Sequence, residues 1–207
     1  MSGASRTVTR LAPLFPDHLG RLLTPDNGNS VESVTADGLL WGCDNGCFGG
    51  FDPDAFQRML ERVSGQPGLL WAVCPDVVAD AKATLALWPW WSALIRSRGC
   101  RACFVLQDGQ EGEPLPDADA YFVGGSTAWK LSQCAADLGA EAKRRGRWLH
   151  VGRVNTLRRL QAAFDMGADS VDGTQYSRFA DTYLADHLRF VQSLERQPCL
   201  WDAAGVG

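Results

Sequence analysis

The sequence predicts an α/β fold built on a parallel sheet, and three observations carry that expectation. Short apolar runs alternate with longer amphipathic segments along most of the chain. Several of these runs, such as "RACFVLQ" and "GLLWAVC", are apolar nearly throughout, as strands covered on both faces are. Almost every run stops at a carboxylate, an amide or a glycine. At 207 residues the chain fits a single domain, 1–207, and the repeated strand–helix unit points to a (β/α)8 barrel of the TIM type. Such barrels take about 250 residues and at least about 200, so this one is expected to be trimmed or irregular. The open doubly wound alternative lacks its glycine-rich dinucleotide fingerprint.

Taken in order, residues 1–38 are rich in Pro, Gly, Asn and Asp and read as an irregular leading segment with one strand near Val8 to Leu11. "GLLWGC" is a strand and "DPDAFQRMLERV" a helix capped by Asp52 or Asp54. "GLLWAVC" is the next strand, followed by "VADAKATLALWPWWSALIRSRG", a helix broken or kinked at Pro89. "RACFVLQ" and "DAYFVGG" are strands, and "TAWKLSQCAADLGAEAKRRG" reads as one helix. "RWLHVG" is a strand, "NTLRRLQAAFDMG" a helix capped by Asn155, "ADSVDG" a strand and "DTYLADHLRFVQSLER" the last helix.

Composition narrows the function. Hydrophobic residues are 45% and charged residues 21%, an ordinary globular balance, and the net charge of −4 excludes a surface uniformly basic for nucleic acid. A basic run from Lys143 through Arg144, Arg145, Arg147, Arg153 and Arg158 to Arg159 stands out locally. It reads equally as a phosphate-facing patch or as a solvated helix end, where cations meet the negative end of the dipole. Seven scattered cysteines and no leader-like start predict a reducing, cytoplasmic setting. Cys100 and Cys103 have the spacing of half a zinc site, with nothing in the sequence to complete it, so no metal is expected. No apolar run approaches the roughly 20 residues of a membrane span.

In a barrel the C-terminal strand ends converge on one pocket. Here those ends carry Asp44 and Asn45, Asp76, Gln107 and Asp108, Gly124 and Gly125, His150 and Gly152, and Asp172 and Gly173. Any one of them could be a turn residue or a cap; several carboxylates and amides at equivalent positions point to shared chemistry. Clustered carboxylates suit attack on a glycosidic bond, one as nucleophile and another as proton carrier. His150 is placed among the ligand-contacting residues as the one histidine at a strand end.

The same residues resemble the queuine and archaeosine tRNA-guanine transglycosylases, and most of all their short phage and actinobacterial branch, which inserts 7-deazaguanines into DNA. The resemblance rests on "CDNGCFGG", "WAVCPDVVADAKATL", "FVLQDGQE", "FVGGSTAWKLS" and "LHVGRVNTLRRLQAAFDMGADSVDGTQYSR", in that order, from Leu39 to Arg178. It implies a barrel that exchanges guanine for a deazapurine, with Asp172 as nucleophile and Asp44 as the proton-handling carboxylate. It further implies Phe48 stacked on the base, Asp76 accepting from the base's N1–H and 2-amino group, and Gly124 and Gly125 offering backbone N–H groups to its carbonyl. Gln107 or Asp108 matches the family's glutamine, the register being open, and Arg178 an arginine behind the nucleophile loop.

The family's cysteine-rich zinc subdomain has no counterpart here, since only Cys199 lies beyond Cys134; the acceptor is therefore expected to be DNA rather than tRNA. Lys130 stands where bacterial tRNA enzymes carry a glutamate, which implies a neutral nitrile base, 7-cyano-7-deazaguanine (preQ0), over a cationic amine. The expected partners are thus DNA and a free deazapurine, with no cofactor and with Arg144, Arg145, Arg147, Arg153 and Arg178 facing the nucleic acid. The alternatives are tRNA-guanine exchange, a hydrolase that removes a base or sugar, and a non-catalytic nucleic-acid binder using "WPWW" (Trp88 to Trp91).

Overall fold

The computed structural model describes residues 1, 6–25 and 30–195 of the chain, without the side chains of residues 177, 178 and 195. Seven strands form one sheet: β1 (Gly20–Leu23), β2 (Leu40–Cys43), β3 (Leu69–Val73), β4 (Ala102–Leu106), β5 (Ala120–Val123), β6 (Trp148–Val151) and β7 (Ser170–Val171). All neighbouring pairs are parallel and the spatial order is the sequence order. A doubly wound sheet would reverse its order at a switch point; this one never does.

The sheet also curls. The Trp71 ring on β3 lies 5.0 Å from the His150 ring on β6, although three strand spacings in a flat sheet would separate them by about 14 Å. One face is therefore concave and holds a narrow core of Trp71, Val73, Cys103, Val105 and Ala120, with Phe122 and Trp148 against it. Gly42 is what lets this core form, since a methyl added there would lie 2.6 Å from the Trp71 ring. The convex face carries the larger core, where Trp41, Ala72, Phe104, Tyr121 and Leu149 meet the helices. The sheet edges approach at β1 and β7, where the Met1 amino group donates to the Val171 carbonyl and the Met1 side chain lies beside Gly20.

The connecting helices are α1 (Arg6–Leu11), α2 (Val31–Thr35), α3 (Pro53–Val63), α4 (Ala81–Ser97), α5 (Thr127–Lys130), α6 (Gln133–Arg144), α7 (Leu157–Asp165), α8 (Thr174–Arg178) and α9 (Ala180–Glu195). Asp52 caps α3, accepting from Asp54 N and Ala55 N at 3.0 Å each. None of the described helices is long and apolar enough to cross a membrane.

Four expectations are corrected. The segment around Val8 to Leu11 is helical, with Val8 and Leu11 buried one turn apart, and the first strand is Gly20–Leu23, so residues 1–38 are not merely irregular. Helix α4 is continuous through the exposed Pro89, so of the two readings there, a break and a kink, the break is excluded. The long helix after β5 is two, because Ser132 accepts from Ala135 N and starts α6 afresh. Thr156, not Asn155, caps α7, and Asn155 accepts instead from Gln175 N at 3.3 Å. The tryptophan cluster is chiefly core: Trp88 packs 5.2 Å from Phe104 and Trp91 5.3 Å from Phe51, leaving Trp90 exposed.

Gly42→Ala should destabilise the protein by about 1–3 kcal/mol, because the buried Trp71 ring has nowhere to go. Gly112→Ala, with no heavy atom within 4 Å of the added methyl, serves as the control. Urea unfolding of the two variants checks this, and equal midpoints would show that the ring yields.

Candidate active site at the strand ends

The C-terminal strand ends surround a cavity of about 80 Å³ lined by Asp44, Asn45, Phe48, Asp76, Gln107, Gly124, Gly125, Arg153 and Asp172, with Val73, Val105 and Phe122 as its apolar floor. Residues from six strand ends, those of β2 to β7, thus meet because the sheet is parallel and curled.

Asp172 follows directly on β7, and its neighbours fix it closely. His150 Nε2 lies 3.0 Å from Asp172 Oδ2, and the Arg153 amide donates to Oδ1 at 3.2 Å. The His150 ring is fully buried between Trp71 and Phe122, and its other nitrogen lies 2.7 Å from Ser170 Oγ. Ser170 Oγ already accepts the Trp148 indole N–H at 2.8 Å, so its own hydrogen is free to go to His150 Nδ1. That leaves Nε2 as the N–H that donates to Asp172. Burial pushes the Asp172 carboxyl up, yet the His150 hydrogen bond and the surrounding positive groups outweigh it and hold Asp172 below the usual carboxylate range. Burial likewise lowers His150, which keeps the ring neutral.

Asp44 follows β2 and faces the opposite electrostatic situation. Burial first, and then the Asp172 charge, raise its pKa to about 7, against weak help from the Gly46 amide at 3.4 Å. Two carboxylates of one cavity are therefore pushed apart, one ionised at neutral pH and one half protonated.

Asp76 is held as an acceptor. Its Oδ1 accepts from Asn45 Nδ2 at 2.7 Å and its Oδ2 from Gln107 Nε2 at 2.6 Å. Asn45 is anchored by donating to the Cys74 carbonyl and accepting from the Cys47 amide; Gln107 Oε1 accepts from the Ala79 amide at 2.9 Å, which fixes its amide direction. Burial raises the Asp76 carboxyl despite these donors. Each oxygen keeps acceptor capacity toward the cavity.

Of the two residues after β4, Gln107 faces the cavity, whereas Asp108 accepts from Ser126 N at 2.7 Å and Ser126 Oγ at 2.6 Å, stapling the loop after β5. Gly124 gives its N–H to the Leu106 carbonyl, so of the two glycine amides only that of Gly125 is uncommitted among the described residues. Side chains at either would collide, with Val105 at 2.7 Å from a methyl on Gly124 and Asp108 at 2.6 Å from one on Gly125. Phe48 stands on the rim, 71% exposed, with the Arg153 guanidinium 4.5 Å over its ring.

Three placements differ from the sequence-based assignment. His150 contacts Asp172 from below instead of lining the ligand cavity. Lys130 lies outside that cavity, buried behind Gly152, whose carbonyl accepts from Nζ at 2.7 Å. Lys143, Arg144, Arg145 and Arg147 lie at the opposite end of the sheet, paired with Asp169, Glu141, Glu141 and Asp117 in turn. Asp117 and Asp169 precede β5 and β7, so this run faces the strand starts, away from Asp172. Arg178 is in α8, its side chain outside the described residues. Ser170 and Trp148 were not singled out; the period-two spacing of Ser170 to Asp172 was the signal that both point inward.

His150→Phe should keep the ring stacking and raise the Asp172 pKa, since burial remains and the donor is gone. His150→Gln, which can offer an amide N–H at the Nε2 position, should restore it in part. Carboxyl NMR titration of aspartate-labelled protein, with Asp172→Asn to identify the resonance, measures this; an unchanged Asp172 titration in His150→Phe would refute the role of the bond.

No family model matches the chain, and no curated protein matches it. Among solved structures it is similar to the Xanthomonas citri FimX EAL domain in complex with c-diGMP, at 14% identity and a TM-score of 0.41, over 81% of this chain and 64% of that one. It is also similar to Klebsiella pneumoniae BlrP1 in a manganese and cy-diGMP complex, at 13% identity and a TM-score of 0.39, over 66% of this chain and 38% of that one. The chain thus spans less than two thirds of either structure, and likeness at this level carries nothing about substrate or chemistry.

Proposed function

We propose that the protein is a base-exchange transglycosylase on a trimmed (β/α)8-type barrel, replacing guanine in nucleic acid with a free 7-deazaguanine through a glycosyl-aspartate. The observation that carries this reading is the split pair of carboxylates in one cavity, Asp172 held low and Asp44 raised to about 7. An exchange reaction needs a nucleophile that is ionised and a second carboxyl that both gives and takes a proton near neutral pH.

In the first half reaction an Asp172 oxygen attacks the anomeric carbon, the bond from that carbon to the purine nitrogen breaks, and its electron pair leaves with the purine as Asp44 supplies the proton. In the second, the incoming deazapurine gives its N–H proton to Asp44 and attacks the same carbon, and the Asp172 carboxylate departs. Two inversions give net retention. Asp76, the Gly125 amide and Phe48 would hold the base; extruding it from a duplex costs a few kcal/mol, which these contacts offset. DNA is the proposed acceptor, tRNA the alternative. Lys130 does not reach the cavity, so preQ0 has no cation selecting for it there, and the incoming base is proposed only as a 7-deazaguanine.

Incubation with DNA or tRNA and labelled deazapurine, followed by nucleoside mass analysis, tests the reading. Exchange into neither polymer, with no covalent adduct, would refute it, and base release without replacement would make the protein a hydrolase. Asp172→Asn should abolish adduct and exchange alike, by more than about 10³-fold.

Asp44→Asn should slow adduct formation by about 10²- to 10⁴-fold, and the wild-type rate should fall as pH rises through about 7, where Asp44 loses its proton. The stability effect has the opposite sign. A carboxyl raised from 3.8 to about 7 on folding penalises the folded state increasingly as pH rises across that window. Asp44→Asn should therefore gain stability over wild type at pH 8 more than at pH 5, on the order of 2 kcal/mol. A pH-independent difference in denaturant unfolding would overturn the Asp44 assignment.

Asp76→Ala should erode discrimination between guanine and hypoxanthine, which lacks the 2-amino group, more than it slows exchange of guanine. Competition between the two bases measures this, and an unchanged preference would remove Asp76 from base recognition.

A further inference from the structure

Beside the cavity the structure gathers three cations, Lys130, Arg153 and Arg159, whose hydrogen bonds go to backbone carbonyls. Arg153 gives Nη2 to the Gly125 carbonyl, Arg159 gives Nη1 to the Arg153 carbonyl at 3.4 Å, and Lys130 gives Nζ to the Gly152 carbonyl. Among the described residues none of the three forms an ion pair. They are close enough to repel: after burial, the Arg153 charge and then that of Arg159 lower Lys130, to about 8, against the opposing pull of Asp172 and Asp108.

The carboxylates within reach are committed elsewhere. Asp108 binds Ser126, Asp76 binds Asn45 and Gln107, and Asp172 binds His150 and the Arg153 amide. Each guanidinium keeps most of its N–H donors. Arg153 also adopts φ +57, a left-handed conformation that is strained outside glycine. Its amide on Asp172 and its carbonyl under Arg159 hold it there. The strained residue thus aims one cation across the rim of the cavity, over Phe48, and seats the second behind it.

We propose that Arg153 and Arg159, with Lys130 buried beneath them, form a phosphate-oxyanion site at the edge of the base cavity. An anion there relieves the repulsion among the three cations and meets two planar, multi-donor groups suited to phosphate oxygens. The cleft that Lys130, Arg153 and Arg159 line is only about 10 Å³, so the phosphate rests on the guanidinium edges at its mouth. The choice of a nucleic-acid phosphodiester as source rests on the base-exchange reading, for which this site fixes the backbone next to the extruded nucleotide; a small phosphate ligand shares the same chemistry.

The test uses the full chain. Binding of a labelled single-stranded oligonucleotide is followed by anisotropy at several salt concentrations, and thermal melting verifies that each variant folds. Each lost phosphate contact should lower the slope of log K against log salt by about 0.7. Because both guanidinium groups grip the same phosphate, Arg153→Gln with Arg159→Gln should remove one such step and Arg159→Gln alone a part of it, whereas Arg144→Gln, Arg145→Gln and Arg147→Gln together should leave the slope unchanged.

Inorganic phosphate titrated against the arginine Nε–H resonances is the second arm. A response of Arg153 and Arg159 without oligonucleotide binding supports the site with a small phosphate as its ligand. Unchanged slopes in both arginine variants together with no phosphate response overturn it. Because neither arm measures exchange, loss of the base-exchange reading and loss of this site are separate results.

Discussion

Nearly everything in this site depends on one hydrogen bond inside the curled sheet, from His150 to Asp172. It keeps a buried carboxylate ionised, and the retained charge is in turn a cause of the raised pKa of Asp44. Without the donor, Asp172 would be pushed toward its neutral form by burial, and the repulsion that adds to burial in raising Asp44 would fade with it. The bond is fixed from behind by Ser170 and Trp148 and from the sides by Trp71 and Phe122, so the concave core is both packing and electrostatics. Gly42 belongs to the same arrangement, since only its missing side chain allows Trp71 to reach the middle.

The distribution of cations follows from topology more than from local sequence. Helix α6 runs antiparallel to the strands, so the cations at its C-terminus arrive at the strand starts, where Asp117 and Asp169 await them. There they complement the helix dipole and pair with acids, as a solvated helix end does. Arg153 and Arg159 belong to the same run in the sequence but follow β6, so they emerge at the strand ends. A linear count of positive charge joins residues that the fold separates by the length of a strand.

How much the sequence revealed can be traced residue by residue. The six strands from Leu40 to Val171 were legible because each is an apolar run stopped by a polar residue or glycine, and the same stops marked Asp44, Asp76, Gln107, Gly124 and Asp172, which the fold brings to one cavity. Strand β1 was hidden because it is four residues long with an arginine inside, and Arg21 is buried with Asp37 and Thr9 as partners. The helix Arg6–Leu11 was legible in principle, since Val8 and Leu11 have helical and not alternating spacing. Lys130 could not be placed by motif alone, because whether its long side chain enters the cavity or tucks under Gly152 is decided by tertiary packing. His150 is similar: its strand position showed that it points inward, but only the curl of the sheet brings it to Asp172.

The Asp76 clamp bears on why such a cavity would exchange bases with selectivity. A free carboxylate must reorganise and shed water before it accepts two N–H donors side by side. Here Asn45 and Gln107 have already oriented both oxygens, and each amide is itself tied to the backbone, so little reorganisation is left for binding. The same arrangement would make mismatch costly, because a base lacking one donor would leave a half-buried Asp76 oxygen short of a partner. Under the proposed base exchange Phe48, on the exposed rim, would accept any purine face and add affinity without such discrimination. Under the same proposal, selectivity among bases would therefore be concentrated in this amide–carboxylate cluster, apart from the carboxylate pair proposed for bond making, and the two functions could be altered separately.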